Sequence, residues 1–180
     1  MDDKPVNSLH RYAMTYGAYA AIALCAISFT LYLMDAFFSN RFVILNYIVI
    51  SIFIYTGISR FRDQYSNGII SYSRALGVGT YIIFWASVIV GFYSYLMYRF
   101  VDPSLFTQFL DNLSEALKNS KMPEEQVNIT INFYHMALSP AIMGLSQLFG
   151  VTFMGFIFSL FIALAVRRKA IQQPTDTNMF

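Results

Sequence analysis

Apolar residues gather into four uncharged runs, Ala13 to Met34, Phe42 to Ile58, Ala75 to Tyr98 and Leu138 to Val166, of 22, 17, 24 and 29 residues. About 20 apolar helical residues cross the ~30 Å hydrocarbon core of a bilayer, so all four qualify as spans. The second is short enough to thin the bilayer around it, and the fourth is long enough to tilt. Between and after them lie a polar turn, 59–74, a long connection, 99–137, and a polar tail, 167–180. The pattern predicts an all-α fold: an integral membrane four-helix bundle, one membrane domain over 1–180, with an extra-membrane amphipathic helical segment between spans three and four.

The long connection has internal order. Leu105, Phe106, Phe109, Leu110, Leu113 and Leu117 recur at three- and four-residue spacing, with Asp111, Glu115 and Lys118 elsewhere around the helix. That spacing predicts an amphipathic helix that lies at the membrane interface or caps the bundle. Pro123 suits a first helical position, followed by Glu124 and Glu125 in the first turn. Beyond it Val127, Ile129, Ile131 and Phe133 alternate with Asn128, Thr130 and Asn132, a strand-like period. No second strand is visible to pair with, so 124–136 is read as helix. The first run exceeds the apolar core of a signal peptide and lacks a small-residue cleavage pattern after Asp35, so it is expected to remain as an anchor.

Charge refines this picture. Only 12% of residues are charged, about half the usual share of a soluble domain, and a net charge of +2 argues against nucleic acid as a partner. Four spans put Lys4, Arg11, Arg60, Arg62, Arg74, Arg167, Arg168 and Lys169 on one side, against Arg41, Arg99, Lys118 and Lys121 on the other. Eight against four places the N-terminus, the 59–74 turn and the C-terminus in the cytoplasm. Within that turn Arg60 and Arg62 read as interfacial anchors, Asn67-Gly68 as the reversal, and Ser71-Tyr72-Ser73 as the approach to the third helix. Arg60, Arg62 and Arg74 are also candidate contacts for a partner or a lipid phosphate, although such patches usually hold about 4 to 8 basic residues.

The same stretch carries a resemblance. Arg62-Asp63, Asn67-Gly68, Ile70-Ser71-Tyr72, Ala75-Leu76 and Gly79, with Asp102-Pro103 closing the third span and Ser139-Pro140 opening the fourth, stand in a characteristic order. In this the chain resembles, over nearly its whole length, the small bacterial four-span inner-membrane proteins of domain-of-unknown-function family 4199. Ser73 and Arg74 stand where that pattern has a glycine and an uncharged or mixed polar residue, and Pro123 where it commonly has a serine cap. The resemblance implies architecture and a bacterial inner-membrane setting, and it supplies no catalytic residues.

Candidate contacts and chemistry are few. Ala13, Gly17, Ala21 and Cys25 recur every four residues in the first run, and Gly144 and Gly150 stand in the fourth, small faces that let helices approach closely. Asn46 and Gln147 are the intramembrane polar candidates, for which an interhelical hydrogen bond, with each other or to a serine, is expected. The lack of an ionisable residue at mid-span counts against a pump or coupled transporter. His10 and His135 fall on opposite sides of the bundle, and no metal cluster, cofactor loop or nucleophile motif appears. Expected partners are membrane lipid and an unidentified membrane protein or a second copy. The leading expectation is a non-catalytic accessory or scaffold in envelope biogenesis. The alternatives are a small oligomeric channel or facilitator around Gln147, and a lipid-modifying enzyme at the outer rim using Arg99, Asp102 and His135.

Overall fold

The computed structural model describes residues 5–39, 42–119 and 123–168, with side chains from residue 9 onward. Lys4, Arg41, Lys121, Lys169 and the rest of the tail lie outside the described residues. Six helices follow in order: α1 (Pro5–Leu33), α2 (Val43–Tyr65), α3 (Tyr72–Leu96), α4 (Ser104–Lys118), α5 (Glu124–Ala137) and α6 (Pro140–Val166). Four of them, α1, α2, α3 and α6, are long and apolar enough to cross a membrane, and α4 and α5 lie between the third and fourth of these spans. The protein is therefore a multi-pass membrane protein of all-α class.

The third span is the hub, packed against α1, α2 and α6. Close approach at small residues sets this arrangement. A Cβ on Gly17 of α1 would lie 2.7 Å from the Ile82 carbonyl oxygen, and one on Gly144 of α6 would lie 2.7 Å from that of Gly91. Such contacts replace the hydrophobic drive that is missing between helices in lipid. A Ser87–Thr152 hydroxyl pair (2.6 Å) ties α3 to α6, and the Tyr12 hydroxyl donates to the Gly57 carbonyl (2.7 Å) to tie α1 to α2. Ile54, Ile58, Phe61, Val78, Ile82 and Ile83 form the tightest core, in the half of the bundle that ends at the α2–α3 turn.

That turn is shorter than the polar run predicts. The second helix continues past Ile58 to Tyr65, because Arg60, Arg62, Asp63 and Gln64 all accept helical geometry and Phe61 still packs in the core. Reversal takes place over Ser66–Ile69, where the Ile69 N–H donates to the Ser66 carbonyl (2.9 Å). Asn67 (φ 47°) and Gly68 (φ 78°) both occupy the left-handed region, as a two-residue reversal of this hand requires. Ser71 then caps α3, its hydroxyl accepting from the Arg74 N–H. Ile70 and Arg168 exchange two backbone hydrogen bonds (3.1 Å each), a short antiparallel bridge that clips the end of α6 to the turn.

At the opposite end α3 widens into a π-helical turn, Met97–Val101, before the chain leaves the span. Asp102 is extended and Pro103 already helical (φ −61°, ψ −20°). Asp102 is thus the working cap and Pro103 the first helical residue of α4, which shifts the helix start by one. Leu105 and Leu110 are buried, and Leu105, with Phe106 and Phe109, seats α4 on the end of the bundle near Met97, Tyr98 and Met143. The segment 124–136 is helical, as expected. Pro123 precedes α5 in extended geometry (ψ 140°) rather than occupying its first position, and its carbonyl accepts from the Val127 N–H. Ser139 caps α6 with Pro140 behind it.

Candidate functional site

In the half of the bundle nearer α4 and α5, the helices leave a half-open cavity of about 320 Å³ between them. Ser28 and Cys25 of α1, Asn46 of α2, Tyr93 and Ser94 of α3, and Gln147 and Gly150 of α6 line it, among apolar neighbours. A second chamber of about 480 Å³ shares Ser28, Phe37, Asn46 and Gln147 with the first. It extends past Tyr98 and Ser146 to the underside of α4 and α5 at Phe109, Leu113, Tyr134 and Leu138. In the other half of the bundle Gly155 of α6 meets Ile83, and Gly79 of α3 meets Ile54 and Ile58 of α2, whereas Gly150 has no such neighbour. A Cβ on Gly150 would meet nothing within 4 Å. Gly150, expected to pack against a helix, instead borders the open space.

The polar groups on this wall are left unpaired. Neither Asn46 nor Gln147 forms a hydrogen bond among the described residues, so the expected interhelical bond is absent; both side chains border the cavity instead. Tyr93 carries a buried hydroxyl with no partner at hydrogen-bond distance among the described residues, the Ser28 hydroxyl being a polar neighbour. The Tyr93 hydroxyl is the buried one among them, and an unmet buried polar group costs about 1–3 kcal/mol. Asn46 is half-buried and Gln147 exposed, and hydrocarbon would offer neither a hydrogen bond. The floor is apolar, with Ile50, Val90 and Val151. Below it Ile54, Ile58, Ile82 and Ile83 are fully buried, so the cavity is blind toward the α2–α3 turn.

The ionisable groups lie at the two ends of the bundle. Asp102 receives three hydrogen bonds: from the Ser104 hydroxyl (2.6 Å) and N–H (2.9 Å) on Oδ1, and from the Tyr32 hydroxyl (3.2 Å) on Oδ2. The Ser104 hydroxyl above all, then the Ser104 N–H and Tyr32, hold this carboxyl below its usual pKa. Arg99 and His135 are exposed, and no described hydrogen bond or ion pair joins either to Asp102. At the other end Arg62 grips Asp63 through Nε (2.7 Å) and Nη2 (3.2 Å) and donates from Nη1 to the Val166 carbonyl at the end of α6 (3.3 Å). Arg74 lies over the Phe61 ring at 5.7 Å, and Arg60 is exposed. The three arginines therefore do not converge on one point.

Along α1 the small stripe divides by task. Ala13 and Ala21 are fully buried and Gly17 meets α3, whereas Cys25 reaches the cavity wall. Ser28 continues that face one turn further, a signal the sequence carried and the stripe reading stopped short of. Tyr93 gave no such signal, being one aromatic residue among many in the third run. No group of three or more His, Cys, Asp or Glu able to hold a metal occurs among the described residues.

No curated protein and no solved structure matches this chain. A family model does, one described as a protein of unknown function (DUF4199), over residues 15–168. The matched span runs from the first turns of α1 through the Ile70–Arg168 bridge and takes in every residue of the cavity wall. The chain belongs to the DUF4199 family.

Proposed function

We propose that the protein is a non-catalytic accessory or scaffold of the bacterial envelope, seated in the inner membrane with both termini in the cytoplasm, and that it acts by binding. The observation that carries this reading is the separation of its polar groups. Neutral amides and hydroxyls border a blind cavity within the membrane, while Asp102 and Arg62 are engaged in holding helix ends. General acid–base chemistry is best served by a group that titrates near the working pH, and the cavity wall offers Cys25 and tyrosines but no Asp, Glu, His or Lys. A facilitator would use the same cavity. The packed isoleucines below it support binding over passage.

Purification in mild detergent with quantitative mass spectrometry tests the role: a membrane-protein partner retained in stoichiometric amount is expected, and its repeated absence would contradict it. Orientation is tested in a Cys25→Ser background. Cysteine at Gln64 should react with an impermeant reagent from the cytoplasmic side and cysteine at Glu115 from the opposite side; the reverse pattern would invert the topology.

A further inference from the structure

We propose that the cavity is a site for a neutral glycerolipid, of the diacylglycerol class, that enters sideways between α2 and α6. This inference rests on the reading that the protein acts by binding, and it names the ligand.

Size is the first argument. Two chambers of about 320 and 480 Å³ fall in the range of ~300–1,000 Å³ typical of ligand sites, well above a packing defect. Charge is the second. No Asp, Glu, Lys, Arg or His lines either chamber, so a phosphate drawn inside would lose its hydration with no cation to meet it. Hydrogen-bonding capacity is the third. The amides of Asn46 and Gln147 each offer an acceptor oxygen and two N–H donors, and both are unpaired at the junction of the chambers. Ester carbonyls and a free hydroxyl answer that set, while an alkane chain alone leaves it unmet.

The layout fits an amphiphile in one direction. The apolar floor at Ile50, Val90 and Val151 lies toward the bundle middle and suits a chain. Toward α4 and α5 the wall carries Ser146, Tyr98 and Tyr134, which suit a glycerol head near the membrane surface. Access is lateral. The α1–α3 side is sealed by fully buried Ala20, Ala21 and Ala86, whereas Gln147 and Gly150 on α6 are exposed. Gly150 keeps the gap open by having no side chain, since nothing stands where a Cβ would be. Water is the competing occupant of a polar cavity.

The test uses the full chain in phosphatidylcholine vesicles with a photoactivatable diacylglycerol, beside a photoactivatable phosphatidic acid of the same chains. The diacylglycerol should label α2 and α6 residues of the cavity, and labelling should fall at least tenfold in Gly150→Phe and in the double variant Asn46→Leu, Gln147→Leu. Gly150→Ala should label as the wild type does, which separates blockage from misfolding. Equal labelling of wild type and Gly150→Phe would overturn the site, as expected of a cavity that holds only water. Stronger labelling by phosphatidic acid would overturn the neutral-lipid assignment and leave the binding role intact. Conversion of the diacylglycerol to a product would instead overturn the non-catalytic reading.

Discussion

Asp102 joins three parts of the molecule through one carboxylate: the end of α1 by Tyr32, the exit of α3 by its own backbone, and the start of α4 by Ser104. The Ser104 hydroxyl is the main cause of its lowered pKa, so the carboxylate is favoured in the folded protein over its ordinary value of 3.8. The sign follows from linkage. A depressed carboxyl contributes stability that is present above 3.8 and lost as pH falls through the lower folded value. Thermal melts in detergent should therefore show wild type losing stability below about pH 4, with Asp102→Ala less stable at neutral pH and flatter across that window. Asp102→Asn should fall between them. The glycines teach a different lesson at this scale. Gly17 and Gly150 are the same letter at helical small-residue positions, yet a Cβ on the first would strike Ile82 and Trp85 while one on the second meets empty space. Gly17→Ala should cost about 1–3 kcal/mol by overpacking. Gly150→Ala should gain up to about 1 kcal/mol from the lower entropy of a non-glycine helix position. Spacing in the sequence identified a face; only the neighbouring helix decides whether the face is met.

Among the elements, the four apolar runs located four helices, because length and absence of charge are direct consequences of a hydrocarbon solvent. Their ends were harder to read. Hydropathy drops after Ile58, but hydrogen bonding along α2 does not, and Phe61 remains in the core three residues on. Helix ends are set by backbone geometry and caps, which polarity marks only indirectly. The alternating apolar pattern at 127–133 is likewise a period without a partner strand, and α5 forms there. By contrast the Asn67-Gly68 turn was legible, since few residues accept two successive left-handed conformations. Gly68→Val tests that turn. With open space around it, the variant should lose about 1–2 kcal/mol for backbone strain alone. Gly68→Asn should lose clearly less, in the same equilibrium unfolding measurement.

For the whole molecule, the two halves of the bundle differ in kind. Near the α2–α3 turn, isoleucines interlock and the Ile70–Arg168 bridge fastens α6 to the turn. Toward α4 and α5 the same four helices leave a half-open space between them, and their neutral polar residues border it. Asn46 and Gln147 were visible in the sequence as polar residues within spans, but the expectation was that they would bond to each other. That outcome requires α2 and α6 to touch at this height, a property of the assembled bundle that neither run encodes by itself. The central claim is that this half of the protein holds an uncharged ligand. Native mass spectrometry of the protein released from its own membranes in mild detergent tests it most directly. The account predicts one neutral lipid bound to the wild type and none bound to an equally folded Gly150→Phe. Bare protein in both samples, or the same adduct on both, would contradict it.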